Sequence, residues 1–501
     1  MPQSTALPLI LVDSSGLQPS ILGAANCAVK QHFASHTPYP QLSSEVISKL
    51  TKASAKTTTV IALNKVPSPC LVADTLQKIS SHMLDKKQPE AQKSGSCHAN
   101  ATPESSKSPK DVEAACQLNI SDNNLPMSCL PRIIEQLQSF PFKIAGFDAS
   151  GNHKLGNNGV RDLLECNMSN AIKQIELRNT GLECPCTIVV ASLAKCVHLT
   201  SLDLSDNPSL NATGVLHFLQ QLPNTNLSTL HLRNCSLGND AGGLASSFRR
   251  FKGLFRVDFS NNKGFSPDDL ISLLNQLPSR LEYLRLGSLD LTSDHVSAII
   301  DGRVLTRFKS LQEINVACND NLGPNGILSL LAPLCDPFDT SVRFLDISSS
   351  HRAIQNYDVG SFDEVLAFCF QKFPKLESLK VSHVGALANV PPSIVLSSHL
   401  TKLDLLNCSN LSSLPDEIFG MSQLKELDIH CCKSLEFPPF SEHWNSQIKS
   451  VDGTMTYSKD NRALLLEVKT FLKKAHKAEP LKRVKVLFLV RYPGPRARFI
   501  V

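Results

Sequence analysis

Tryptophan occurs once in this chain of 501 residues, tyrosine five times, and aromatic residues make up only 6%. So little aromatic bulk argues against a core built around large rings and fits one that stacks aliphatic units. No apolar run is long enough to span a bilayer. A charge imbalance is missing too, since 50 Lys and Arg face 45 Asp and Glu for a formal +5. That leaves no clustered basic face of the kind nucleic acid or an anionic membrane requires, and neither is expected as a partner. The 16 cysteines lack regular pairing, which suits a reduced compartment. The opening MPQSTALPLILVDSSG has an apolar run only from Ala6 to Val12 and no basic residue before it, so it does not read as a secretory leader. A cytoplasmic setting is the expectation. Asn-x-Ser/Thr triplets at Asn100, Asn119, Asn167, Asn211, Asn226 and Asn410 weigh less, because they arise freely in Asn- and Ser-rich repeats.

Catalytic signatures are also missing. There is no GxSxG, HExxH or glycine-rich phosphate loop, so neither enzyme chemistry nor a cofactor is expected. Cys184 and Cys186 form CPC, and His430, Cys431 and Cys432 form HCC. Neither has the spacing that lets ligands converge on one ion, and no metal is expected.

What the chain does contain is a repeat. The pattern LxxLxLxxN recurs, most clearly as LTSLDLSDN from Leu199 to Asn207. The first apolar positions are Ala115, Ile144, Ile172, Leu199, Leu227, Leu254, Leu281, Leu311, Val342, Leu376, Leu400 and Leu424. Successive differences are 29, 28, 27, 28, 27, 27, 30, 31, 34, 24 and 24, two regimes in one array. Alternate residues of LxL point inward from a short strand, and those between face the opposite, concave surface. One unit cannot bury its own apolar side, whereas stacked units share a core. The last position holds Asn123, Asn152, Asn207, Asn262 and Asn319, and elsewhere Thr180, Cys235, Leu289, Ser350, Cys408 and Cys432. Asn there satisfies backbone groups where the chain leaves the strand, and a small thiol substitutes for it.

Between strands, Val215, Leu216, Leu219 and Leu222 recur at helical spacing, as do Leu270, Leu273, Leu274 and Leu277. Units near 28 residues with a helical second half and an alternating Asn resemble the ribonuclease-inhibitor class of leucine-rich repeats, and the Ran GTPase-activating proteins have similar repeats. From Leu400 the chain reads LTKLDLLNCSNLSSLPDEIFGMSQLKELDIHCC, which resembles the shorter LPxxI form of many intracellular repeat proteins. The resemblance covers roughly Ala115 to Val451 and implies an α/β leucine-rich-repeat solenoid, with a curved parallel sheet inside and helices or extended turns outside.

The chain divides into residues 1–84, read as degenerate repeats or a cap, a polar linker over 85–110, the array over 111–457, and a tail over 458–501. The linker is rich in Ser, Pro and Lys, including the Ser108-Pro109 pair. In the tail, Leu464, Leu465, Val468, Phe471 and Leu472 predict an amphipathic helix that Pro480 stops. Val484 to Val490 then predicts a buried strand. This order resembles the junction between repeats and the GTPase domain of Roco proteins. Arg491 stands where that family's first phosphate-loop glycine would be, and no Gly-Lys pair follows.

Read from the repeat register, the residue between the two core positions of LxL runs Asp148, Glu176, Asp203, His231, Asp258, Arg285, Asn315, Asp346, Lys380, Asp404 and Asp428. It is an acidic column broken by three basic residues. His231, Arg233, Phe255, Arg256, Tyr283 and Arg285 fall near its centre and are the candidate partner-binding residues, since Arg and Tyr combine contact area with directional hydrogen bonds. The expectation is a non-enzymatic scaffold for a partner protein, a small GTPase or other signalling protein among the candidates. The Roco and Ran resemblances add two alternatives: the regulatory region of a truncated Roco-type GTPase, or a GTPase activator.

Overall fold

The computed structural model describes residues 10–13, 59–63, 70–85, 115–140, 143–166, 171–222, 226–238, 241–335, 340–349, 361–429, 431–435 and 450–453. Residues 86–110 of the linker, Ser350, His430 and the tail, with the helix and strand expected there and Arg491, lie outside the described residues.

One sheet holds fifteen strands in chain order. The first three are β1 (Ile10–Asp13), β2 (Thr59–Ala62) and β3 (Ala115–Asn119). Then come β4 (Lys143–Asp148), β5 (Gln174–Glu176), β6 (Ser201–Asp203) and β7 (Thr229–His231). Next are β8 (Arg256–Asp258), β9 (Tyr283–Arg285), β10 (Glu313–Asn315) and β11 (Phe344–Asp346). The last four are β12 (Ser378–Lys380), β13 (Lys402–Asp404), β14 (Glu426–Ile429) and β15 (Ser450–Gly453). β3 to β14 are the strands of the twelve units, each starting at its anchor or one or two residues from it. β2 and β15 extend the parallel array by one strand at each side, and β1 pairs antiparallel with β2.

The register follows from burial. Ile175, Leu202, Leu230, Val257, Leu284, Ile314, Leu345, Leu379, Leu403 and Leu427 pair strand to strand from β5 to β14. All are buried. Burying each is worth about 1.5–3 kcal/mol, and a slip of one residue would turn the whole row toward solvent. The first unit departs from the spacing expectation. Cys116, fully buried, pairs with Ile144, and the register shifts between Cys116 and Gln117. The residue that faces inward beside Ile144 is therefore Cys116, while the expected anchor Ala115 pairs with Lys143, because this unit is one residue short before its LxL.

On the convex side the front units carry helices such as Asn211–Gln221, Pro267–Gln276, Ser293–Asp301 and Phe362–Lys372. In Asn211–Gln221 the inward side chains include Val215, Phe218 and Leu219, while Leu216 is only partly buried. Ser266 caps Pro267–Gln276 by accepting from the Asp269 amide, with Pro267 as the first helical residue. After β12 the 24-residue units leave too few residues for a helix. Pro392–Leu396 and Asp416–Gly420 form 3-10 turns, pinned by buried Ile394 and Ile418. The scarce aromatics are not spread evenly. Phe218, Phe248, Phe251, Phe259, Phe362, Phe370 and Phe373 are among the largest fully buried side chains, and Phe248 meets Phe259 edge-on at 5.6 Å.

Candidate partner-binding face

The turn out of each strand is built by the ninth position of the repeat. Asn262 is fully buried. Its Oδ1 accepts from the Cys235 and Leu237 amides at 2.8 and 3.2 Å, and its Nδ2 donates to the Leu232 and Phe259 carbonyls at 2.7 and 2.8 Å. Asn152, Asn207 and Asn319 make the same four contacts to their own and the preceding unit. Asn123 donates to the Leu63 and Ile120 carbonyls. Where the residue is smaller, fewer contacts remain. Thr180 donates to Leu177, and the Cys235, Cys408 and Cys432 thiols reach back to the carbonyls of Leu204, Val381 and Leu405. Burial pushes the Cys235 and Cys408 thiols up to about 12 and Cys432 to about 11, so all three are protonated, as donation requires.

The residue before this position carries a second device that spacing alone did not reveal. Asp122, Asn179, Asp206, Asn234, Asn261, Ser288, Cys318, His383, Asn407 and Cys431 all have φ between 49° and 62° where Gly151 has 74°. Asn, Asp and Gly tolerate this left-handed turn best. Their enrichment just before the ladder residue was the available signal.

A third device changes the reading of the acidic column. Oδ1 of Asp148, Asp203, Asp258, Asp346 and Asp404 each accepts the amide two residues on, from Ser150, Ser205, Ser260, Ser348 and Leu406. Asn315 does the same for Ala317. These groups close Asx turns at the strand ends, so much of the column serves the fold.

Parallel pairing, one buried aliphatic row and one ladder of turn-closing side chains thus repeat together from unit to unit. The chain folds as a leucine-rich-repeat solenoid. No family model matches the chain. Over 115 residues it is 35% identical to human monocyte differentiation antigen CD14, a stretch that makes up 23% of this chain and spans 30% of CD14. Among solved structures, the leucine-rich repeat-containing protein LegL7 of Legionella pneumophila is 18% identical with a TM-score of 0.32, over 45% of this chain and 77% of that one. The leucine-rich repeat domain of the type III effector XopL is 19% identical with a TM-score of 0.32, over 53% and 80%. A chain of the yeast Rad7 and Elc1 complex is 16% identical with a TM-score of 0.33, over 60% and 85%. The fold assignment rests on the repeat geometry of the chain itself.

The candidate residues of this repeat array occupy two adjoining rows. In one, Thr229, Arg256, Tyr283 and Glu313 pair in register from β7 to β10. In the other, His231, Asp258, Arg285 and Asn315 do so. The Arg256 guanidinium lies 4.0 Å from the centre of the Tyr283 ring and 6.0 Å from that of Phe255, and the two rings meet edge-on at 6.3 Å. All three side chains are half-buried. Arg285 is engaged elsewhere, with Nε 2.6 Å from Glu313 and a terminal nitrogen 3.8 Å from Asp258. Burial works against its charge, but Glu313, Asp258 and Asp346 together lift it above its ordinary value. His231 Nδ1 sits 3.5 Å from Asp203. Arg233 is exposed on the continuation of β7, and its charge is felt by the Cys318 thiol three units on.

Toward the N-terminal end the middle row turns acidic, with Asp148, Glu176 and Asp203 as register neighbours. Burial, then the charges of Asp148 and Asp203, push the Glu176 carboxyl up to about 8. Burial also raises Asp148, against the pull of its bonds to Ser150. At Asp203 burial is outweighed by the hydrogen bond and charge of His231 and the bonds to Ser205, which hold it low. Gln117, Gly146, Phe147, Asp148, Gln174 and Glu176 line a shallow depression here.

No described helix is long and apolar enough to cross a membrane. Among the described residues no group of His, Cys, Asp and Glu is placed to hold a metal ion. Of the CPC pair, Cys186 is buried and Cys184 half-buried, while in HCC Cys431 is exposed and Cys432 faces the ladder.

Proposed function

We propose that this array is a scaffold that binds a partner protein on its concave face, centred on His231, Arg233, Phe255, Arg256, Tyr283 and Arg285. The observation that carries the reading is the half-exposed stack of Arg256 on Tyr283 and Phe255. Aromatic and arginine side chains with part of their surface still in water are the groups that yield most on being covered by a partner. Much of the neighbouring column, by contrast, is spent on Asx turns. The test is pull-down with mass spectrometry, comparing the natural chain with one carrying Arg233→Ala, Tyr283→Ala and Arg285→Ala together. Loss of a captured protein with an unchanged far-UV spectrum is the expected result. Unchanged capture would remove this surface from consideration. Turnover of GTP by small GTPases should be unaffected by the array, and acceleration would replace this reading with that of a GTPase activator.

A further inference from the structure

The concave face contains several arginines, and most already have their partner. Arg178 bonds Asp206, Arg285 bonds Glu313 and Asp258, and Arg343 bonds Glu377. Arg256 differs. Among the described residues its guanidinium lies over the rings of Tyr283 and Phe255 and forms no ion pair. Its Nε is buried and has no hydrogen-bond partner. The carboxylates closest to it in the rows are committed, Asp258 to the Ser260 amide and Arg285, and Glu313 to Arg285.

We propose, building on the concave-face reading above, that the central patch takes an acidic segment of the partner, with a carboxylate seated on Arg256. Tyr283 at 4.0 Å holds the guanidinium in one orientation, so the side chain loses little further freedom when an anion arrives. Because Nε is shielded, the carboxylate meets the two terminal nitrogens end-on. Arg233, exposed and without an ion pair among the described residues, adds a second positive charge on the same face. A basic segment would instead meet unneutralised arginine at Arg256 and Arg233, so these two positions, and not the acidic column around them, set the preference.

The test uses the full chain and fluorescein-labelled poly-glutamate, followed by anisotropy. Arg256→Gln should weaken binding about tenfold or more, the usual scale of a lost charge-assisted contact. Lys252→Gln, at an exposed cation in the turn before β8, should leave it unchanged. No binding, equal loss in both variants, or tighter binding of poly-lysine overturns the proposal. A phosphoserine peptide binding more than tenfold tighter than its glutamate counterpart also overturns it, in favour of phosphate. On a captured partner, Arg256→Glu separates the two levels of inference. If the triple variant above abolishes capture and Arg256→Glu does not, the acidic segment is wrong and the concave face stands. If neither variant matters, the concave face itself falls.

Discussion

Replacing Asn262 by Ala probes the ladder at its fullest. The side chain is completely buried and makes four close contacts to backbone groups in two units, two amides at 2.8 and 3.2 Å and two carbonyls at 2.7 and 2.8 Å, with the Ser260 carbonyl farther off at 3.3 Å. A net hydrogen bond is worth about 1 kcal/mol, so four together are worth about 4 kcal/mol, and water cannot readily replace them. Cys235→Ala removes one thiol donor, placed 3.2 Å from the Leu204 carbonyl and 3.5 Å from that of Arg233, and should cost about 1 kcal/mol. Asn262→Thr should recover part of the loss, because Thr180 shows that a hydroxyl at this position still reaches one carbonyl. Urea unfolding followed by far-UV circular dichroism measures the total. Amide hydrogen exchange at Cys235 and Leu237 reads the local opening, the sharper signal in a stacked array where a defect loosens its neighbours first. A loss for Asn262→Ala no larger than that for Cys235→Ala would refute the reasoning.

Three further outcomes are expected. Asn261, at φ 62°, should lose about 1–2 kcal/mol on replacement by Val and almost nothing by Gly; equal thermal midpoints for the two would contradict the left-handed turn. The raised pKa of Glu176 means that the folded chain holds a proton which the unfolded chain has released between about pH 4.5 and 8. Stability therefore falls as pH rises through that window, and Glu176→Gln should be more stable than the natural chain at pH 8 and no different at pH 4. Iodoacetamide near pH 8 should label exposed Cys431 before Cys235 and Cys408, whose buried thiols are pushed up to about 12; peptide mapping showing equal rates would overturn that order.

The repeat, its twelve central strands and the loss of helices from the 24-residue units are legible in the chain because each depends on short-range spacing, whereas the extended turns expected there are 3-10 turns that begin one unit earlier, after β12. A leucine every second or third residue decides which side of a strand is buried, and a unit of 24 residues leaves no room for a helix. The Asn and Cys ladder was legible for the same reason. The neighbours of each charged side chain were not, since they come from the next unit, 28 residues away for Arg285 and Glu313. Listing only the residue between the two core positions hid Glu313, which stands two residues earlier in the following strand. Register was also needed to see that much of the acidic column closes Asx turns.

By itself, then, the sequence determined the solenoid: a periodic aliphatic pattern has one way to bury its surface, and that is to stack. Tertiary structure decided which of the outward charges are spent and which are free. An ion pair depends on distances across units that no local pattern encodes, and those distances neutralise Arg285 while leaving Arg256 over the Tyr283 ring with no carboxylate paired to it among the described residues.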